Sequence, residues 1–588
     1  MKTLTQLLIC LVLLFQLSCK EDIADTPVAN QPPKTFLWLY PDSTVGQSVS
    51  RQHLHWWAED PDGAVVGYLF TYAIFPTRVS TIPSPDTLRY TWVTRNDTLI
   101  LFPLDTLIRD FTVIVRGVDN SFGGLPNQSI VRFTPRPYWD RNDDGLLDAG
   151  DQELAQLSGA TDPVGSVQTF PIRNTPPTIV FAPNPNDETL ALKQPDTSFT
   201  AATFAFKGAD ADGDITLVSY RIALNDTSSP SRWLTVPLRD TIITLLVPRA
   251  RSDGAAGEVV ADVYGGQFLG RRLLGQLQGL RLDALNVLYV QAKDAAGEFS
   301  PTIRMPSGAD HWYVKRPRGK LLIVSDDVSY GIVADTIYRN ALSGVPGGEF
   351  TIVDKLNIAL GLTASDKLSY RLGRLMPPFQ DPALIYTFLL YDYVFWYTEQ
   401  YPTLGAAQAS LFAYVLNGGK LLFSTTFLNT IDPRGALRDF APIDSVSSVD
   451  LAGSGPPQGP PRIGDTRLPA NLRVLPDSAI PTNIYPRLAF NSFPSIHTPV
   501  YMRPIYRRSD ARYIYHLESD PRSPLRYTGT PNVAVVDGAG TNIFIGLPLH
   551  LLNNSDPTYG NPDALTAFFT KIFTQEFSPN QKVNRRKF

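Results

Sequence analysis

The stretch from Tyr391 to Phe427, YDYVFWYTEQYPTLGAAQASLFAYVLNGGKLLFSTTF, leaves few architectures open to the chain around it. Its first eight residues are aromatic and β-branched, the composition of a strand buried on both faces. After Pro402, residues Leu404, Ala407, Leu411, Phe412, Val415 and Leu416 recur at three- and four-residue spacing, which predicts a helix. Asn417-Gly418-Gly419 ends that helix, because glycine takes the left-handed position past a helix end without strain; Lys420 to Thr426 reads as the next buried strand. Such a strand-helix-strand unit is a right-handed crossover in a parallel sheet, and in open sheets ligands and catalytic groups gather at the strands' carboxyl ends. Ser424, Thr425 and Thr426 stand at that end, so the pattern asks whether they do chemistry.

The surrounding sequence extends this unit into an α/β domain with a mainly parallel sheet over residues 317–578, followed by a tail at 579–588. Lys320 to Ser325 (KLLIVS) is a continuous apolar run with Asp326-Asp327 at its carboxyl end. Val333 to Leu342 reads as a helix and Phe350 to Asp354 as a strand. Residues 429 to 530 are rich in Pro, Asp and Ser and predict an irregular excursion with some β-structure. Asn532 to Val536 and Ile543 to Ile545 read as strands, and Leu565 to Phe577 as a helix.

Upstream the periodicity changes. Between residues 35 and 136, short alternating segments punctuated by Gly, Pro and Asp turns predict a β-sandwich. The pattern then repeats. Trp57-Ala58-Glu59-Asp60-Pro61-Asp62-Gly63 with Val66-Gly67-Tyr68 is echoed by Gly208-Ala209-Asp210-Ala211-Asp212-Gly213 with Val218-Ser219-Tyr220. Val113 to Asp119 is echoed by Leu288 to Asp294, and Trp92 and Trp233 fall between the landmarks. A second sandwich is therefore expected over 176–316, with an insertion at Arg249 to Ala284 that contains the helix-like GRRLLGQLQGLRLDA. Both copies resemble fibronectin type III and immunoglobulin-like modules, through a Trp-bearing middle strand and a late strand ending on an aspartate. That resemblance implies spacers or binding platforms, and fold alone does not choose between them.

The segment 137–175 reads as a junction between the copies. It contains Asp140-Arg141-Asn142-Asp143-Asp144-Gly145-Leu146-Leu147-Asp148-Ala149-Gly150-Asp151. Oxygen ligands at positions 1, 3, 5, 7, 9 and 12 with glycine at 6 suit calcium, a hard cation that takes six to eight oxygens. Asp140, Asn142 and Asp144 supply side chains, Leu146 its carbonyl, Asp148 a direct or water-mediated contact and Asp151 the closing carboxylate. Aspartate at position 12 resembles the dockerin-type loop; one such loop, where dockerins carry two, does not imply cohesin binding. The alternative is an acidic, solvated turn. The Asp-x-Asp-Gly turns at Asp60 and Asp210 read as hairpin turns.

Residues 1–18 have the parts of a secretory leader: a basic start, an apolar run from Leu7 to Leu17 shorter than a membrane span, and small residues before Cys19. This resembles a bacterial lipoprotein signal, with Gln16 where that signal usually has Leu. The resemblance implies lipidation at Cys19, a membrane anchor and a polar tether over 19–34; a plain secretory signal cut elsewhere is the alternative. Lys20-Glu21-Asp22 resembles the signal that exports some lipoproteins to the outer leaflet of the outer membrane, the periplasmic face being the alternative. Cys10 and Cys19 are the only cysteines, so no mature disulfide, thiolate metal site or nucleophilic cysteine is expected. The net charge of −4 offers no basic footprint for nucleic acid, and neither a Walker nor a Gly-x-Gly-x-x-Gly sequence supports nucleotide binding.

Gly418-Gly419-Lys420-Leu421-Leu422 before its strand, and Gly546-Leu547-Pro548-Leu549-His550 near the end, resemble the class I glutamine amidotransferase-like fold over roughly residues 318 to 577. In that family a cysteine follows the strand that here ends at Thr426, and a His-x-Glu pair follows the last strand. Here Thr425-Thr426-Phe427-Leu428 has no cysteine, and Leu552 stands where the glutamate belongs, so thiolate attack on an amide is impossible. Ser424 or Thr425 as nucleophile with His550 as base is the remaining catalytic candidate, without the G-x-S-x-G turn that exposes a hydroxyl. His53, His55, His311, His497 and His516 form no H-E-x-x-H; His53 and His55 project from one strand face as two metal ligands could, but a partly exposed pair beside Trp56 and Trp57 is the preferred reading.

The expected function is a non-catalytic lipoprotein platform for an envelope protein or glycan, calcium-stiffened at its junction. The alternatives are a polysaccharide hydrolase using carboxylates such as Asp326, Asp327 and Glu399, and glycan binding through exposed Trp56, Trp57 and Trp139.

Overall fold

The computed structural model describes residues 29–39, 51–75, 85–102, 109–172, 174–184, 187–191, 197–327, 331–358, 382–399, 404–427, 437–448, 473–476, 485–490, 502–518, 530–553 and 563–577. The leader and Cys19 lie outside these residues, as does most of the tether. The chain forms two compact units, Met1–Thr175 with Ala211–Gly213, and Pro176–Asp210 with Asp214–Phe588.

The first unit is a β-sandwich. Lys34–Leu39, Arg51–Glu59 and Asp97–Leu101 form one antiparallel sheet. The other has seven strands in the order Ser166–Ile172, Arg109–Asp119, Val65–Phe75, Tyr90–Val93, Ile130–Arg132, Tyr138–Asp140, Gln152–Glu153. Alternation along Arg109–Asp119 sends Phe111, Val113 and Val115 into a core with Leu54, Trp56 and Ile100. Ile114 and Val118 enter a second core with Leu69, Tyr90, Trp92 and Leu157. The segment 137–175 is thus not a linker. It supplies three strands to this sheet, and the acidic loop is the connection between two of them. Nothing in the alternation of so short a pair of strands marks them in sequence.

The second unit opens with another sandwich. Thr178–Phe181, Ala201–Ala209, Ile242–Leu246, Glu258–Gly265 and Arg272–Arg281 form a five-stranded sheet. It faces the four strands Leu234–Pro237, Leu217–Leu224, Leu288–Asp294 and Ile303–Met305, with Phe204, Ile222, Val263, Val290 and Trp312 between the sheets. The helix-like GRRLLGQLQGLRLDA is a strand paired with Glu258–Gly265, with register shifts along the pair. Gly275 and Gly279 within it have φ of 159° and 100°, the second a value that suits a bulge and not a helix.

The duplication extends to the register. Val65 pairs with Asp119 and a shift follows before Gly67; Leu217 pairs with Asp294 and a shift follows before Ser219. The two copies share one bulge at one place, opposite a buried aspartate.

The α/β part of the second unit is built on a nine-stranded sheet. Asp354–Asn357, Leu321–Ser325, Tyr393–Tyr397, Lys420–Ser424 and Asn542–Ile545 are joined in parallel. Asn532–Asp537, Ala511–Glu518, Arg473–Pro476 and Leu488–Ala489 continue it in antiparallel fashion, so the sheet is mixed where a mainly parallel one was expected. The switch is made by the hairpin of Asn532–Asp537 with Asn542–Ile545, and residues 429–530 supply the three strands beyond it. The strand predicted at Phe350 to Asp354 begins only at Asp354. Leu321 and Ile323 face one core with Tyr338, Phe395 and Phe569. Leu322 and Val324 face the other with Trp396, Phe423 and the helices Pro382–Leu389 and Leu404–Leu416. The final helix ends with a π-helical turn, Lys571–Glu576.

The second sandwich is bolted to this domain. Tyr386 of the Pro382–Leu389 helix stacks on Tyr264 and meets Phe268 edge-on, and Tyr391 meets Phe199 edge-on. Asp354 ties the connecting chain down by accepting the N–H groups of Arg318 and Gly319 and the Tyr391 hydroxyl.

Candidate functional site

In chain order the five parallel strands lie second, first, third, fourth, fifth across the sheet. The chain reverses its direction of winding between the first and third, Leu321–Ser325 and Tyr393–Tyr397, and the crevice outside such a switch point is where open α/β sheets bind ligands. Asp326 and Asp327 follow the first strand, Thr398 and Glu399 the third, and Ser424, Thr425 and Thr426 end or follow the fourth. His550 lies on the short helix Leu549–Leu552 after the fifth.

The fold buries every one of these residues, and it brings His550 and Glu399 together. His550 Nε2 lies 3.6 Å from Glu399 Oε2, with both side chains at most 2% exposed. His550 Nδ1 lies 3.4 Å from the Tyr338 hydroxyl, which also accepts the His550 main-chain N–H at 3.0 Å. Burial first, then the neighbouring Tyr397, pushes the Tyr338 phenol far above its ordinary range, so it keeps its proton and can donate to Nδ1. The acid beside His550 is therefore Glu399, from another strand, and not a residue two positions on. Sequence spacing could not reveal that pairing, because it is made across the sheet.

The hydroxyls do not join this arrangement. Ser424 Oγ donates to the Leu547 carbonyl at 2.8 Å, and Thr425 Oγ1 to the Thr426 carbonyl at 3.0 Å. Thr426 Oγ1 and Thr398 Oγ1 are buried and have no hydrogen-bond partner among the described residues. Asp326 accepts from the Trp396 indole at 3.3 Å. A hydroxyl acts as a nucleophile when its proton points to a base; here the protons of Ser424 and Thr425 point to peptide carbonyls.

In the acidic loop, Asp140 is buried. Its Oδ2 accepts from Arg132 Nε at 2.6 Å and from the Gly145 N–H at 3.0 Å; Oδ1 is buried without a hydrogen-bond partner among the described residues. Asp144 accepts the Leu146 N–H at 2.8 Å, and Asn142 Oδ1 accepts the Asp144 N–H at 3.3 Å. Asp151 is drawn across the loop by the N–H groups of Arg141 and Asp148, and Asp148 accepts from Gly150. Gly145 has φ 81°, the sharp turn expected at position 6. Asp140 thus has one buried oxygen left over, whereas Asn142, Asp144 and Asp148 are exposed and take main-chain N–H groups of the turn, and among the described residues no three carboxylates of the loop come within 4.8 Å of one another. Asp143 points to Arg89 and Arg132 instead, and the Arg89 guanidinium holds its carboxyl below the usual range.

Of the tryptophans expected on the surface, Trp56 is a core residue stacked on Phe70. Strand alternation alone places Trp56 and Trp57 on opposite faces, and the pairing decides which is inside. Trp139 lies under the Arg141 guanidinium. Trp57 and Trp38 are exposed, with Trp57 stacked on Phe36. Among the other histidines, His311 is exposed, His516 is buried in its strand, and His497 lies outside the described residues. No helix among the described residues is long and apolar enough to cross a membrane.

No protein family and no curated protein matches the chain. Among solved structures, fibronectin(III)-like modules of CbhA from Clostridium thermocellum align with 48% of this chain and 95% of that chain, at 9% identity and a TM-score of 0.13. The FN1-FN3 domains of chicken CNTN1 align with 48% and 98%, at 9% identity and a TM-score of 0.14. A chimeric titin Z1Z2 tandem aligns with 46% and 92%, at 9% identity and 0.13. At such scores the sandwich architecture rests on the strand pairing described above.

Proposed function

We propose that this chain is a non-catalytic cell-envelope lipoprotein, anchored through Cys19 in the outer membrane, whose sandwiches and degenerate amidotransferase-like domain form a binding or assembly platform. One observation carries the non-catalytic part of this reading: at the switch point the hydroxyls of Ser424 and Thr425 donate to main-chain carbonyls, while His550 is buried with Nδ1 3.4 Å from the Tyr338 hydroxyl and Nε2 3.6 Å from Glu399. A histidine so placed braces three elements from inside the fold. Calcium belongs to the same reading: Asp140, Asn142, Asp144, the Leu146 carbonyl, Asp148 and Asp151 would hold it, and its charge would fix the turn within the first sandwich.

The competing reading, a hydrolase of envelope or extracellular polysaccharide, draws support from Glu399 and His550 meeting at a switch point. Complementation separates the two. In a strain lacking the protein, Glu399→Gln and Thr425→Val at wild-type folded abundance restore the wild-type phenotype if the chain is a platform. Loss of rescue by folded, correctly localised variants supports the hydrolase. Cys19→Ser tests the anchor, with loss of metabolic fatty-acid labelling as the expected result.

A further inference from the structure

His53 and His55 lie two residues apart on one face of the Arg51–Glu59 strand, and Asp97 is the register partner of His55 on the adjacent strand Asp97–Leu101. The imidazole centroids are 4.4 Å apart, and His53 Nε2 lies 3.4 Å from Asp97 Oδ2. One ligand atom from each of the three falls within 4.8 Å of the other two. A tetrahedral ion with bonds of about 2.0–2.1 Å sets its ligand atoms roughly 3.3 Å apart, so the His53 and Asp97 atoms already stand at that spacing. The His55 ligand atom lies within 4.8 Å of both, so the remaining two edges are each at most about 1.5 Å longer than that spacing.

We infer that His53, His55 and Asp97 form a binding site for a divalent transition ion of the zinc and copper class, with water as the fourth ligand. Two imidazoles and one carboxylate make a borderline donor set that suits zinc, copper or nickel and does not suit calcium or magnesium, which favour all-oxygen sites. The backbone is pre-organised, because both strands are held by antiparallel pairing and the ligands alternate outward together. The side chains of His53 and Asp97 are 44% and 48% exposed, which leaves the solvent side open for the water. Three ligands and an open fourth position is the arrangement of exchangeable sites, whereas closed four-residue sets are structural. The ion would also cross-link the edge strand Asp97–Leu101 to its neighbour. Trp38 is the register partner of His55 on the other side, and Trp57 follows two residues on, so two exposed indoles flank the site as reporters.

The test uses the full mature chain without a histidine tag, stripped with chelator and titrated with Zn2+, Cu2+ and Co2+. One zinc per chain, a Co2+ absorption band of tetrahedral intensity and Cu2+ quenching of indole emission are the expected results. His53→Ala, His55→Ala and Asp97→Asn should each weaken zinc binding by at least about tenfold and abolish the Co2+ band. His311→Ala, at an exposed histidine of the second unit, should leave zinc affinity unchanged. Circular dichroism and melting without metal verify that the variants are folded. The proposal is overturned if the wild type binds no zinc at submillimolar ion. It is equally overturned if the folded His53→Ala/His55→Ala double variant keeps wild-type affinity and stoichiometry.

Discussion

Asp354→Ala should loosen the bolt between the second sandwich and the α/β domain. The carboxylate is 2% exposed, and its Oδ2 accepts from Arg318 N at 2.6 Å, Gly319 N at 3.1 Å and the Tyr391 hydroxyl at 3.0 Å. Alanine leaves three donors without an acceptor, and a buried unmet donor costs about 1–3 kcal/mol. Lys315 Nζ, 3.5 Å from Oδ1, is one-third exposed and rehydrates, so its loss adds little. The total is on the order of 3–6 kcal/mol, since the three donors can share some relaxation. Tyr391→Phe removes one donor, leaves the carboxylate its two N–H groups, and should cost about 1–2 kcal/mol. Calorimetry of the full chain, following the transition assigned to the second unit, reads both. The reasoning is refuted if Asp354→Ala costs less than about 1 kcal/mol, or if Tyr391→Phe costs as much as Asp354→Ala.

Isothermal titration should show calcium binding that Asp140→Ala and Asp151→Ala each abolish; identical heats for wild type and both variants would remove calcium from the account. The Arg89 pairing depresses the folded pKa of Asp143, so its stabilisation is present above the ordinary carboxylate range near pH 4 and is lost as pH falls through the lowered value. Because this pair is about two-fifths exposed, Arg89→Met should reduce the neutral-pH stability of the first unit by no more than about 1 kcal/mol and flatten its acid limb. In acid titrations followed by circular dichroism, an unchanged limb would contradict this. A Cβ on Gly419 would lie 2.3 Å from the Tyr414 ring, whose hydroxyl bonds the main chain of Asp392 and Lys420. Gly419→Ala should therefore cost about 1–3 kcal/mol of second-unit stability in urea melts, and a neutral result would mean the ring moves freely.

The parts legible in sequence were those with a strong period. The strand-helix-strand unit around Leu404–Leu416 forms with its strands at Tyr393–Tyr397 and Lys420–Ser424, because apolar runs and the Gly418-Gly419 stop leave no competing pattern. The repeated landmarks also map onto paired strands with a common bulge. Even the mismatch within them has a cause: Gly67 replaces Ser219 in the echo because Trp92 packs its ring where a side chain would stand. What escaped were features made by pairing across the chain. Arg272–Arg281 has helical spacing and lies in a sheet because its neighbour strand offers a ladder. Trp56 and Trp57 are equivalent as letters, and only the sheet behind Leu54 and Trp56 buries one of them. Glu399 and His550 meet only after four strands have been ordered, and His53, His55 and Asp97 only after two have been registered.

The central claim is that the His550 cluster braces the fold and carries no reaction, and the stability of His550→Leu and Glu399→Gln tests it directly. Each variant takes a buried polar group away from its neighbours, which lowers the unfolding free energy of the second unit by about 1–3 kcal/mol. Residues shaped for chemistry sit at a cost to the fold, and replacing them leaves a protein as stable or more stable and inactive. Lower stability in both variants, with rescue retained in cells at matched folded abundance, is the predicted result. Unchanged or raised stability with loss of rescue would contradict the account.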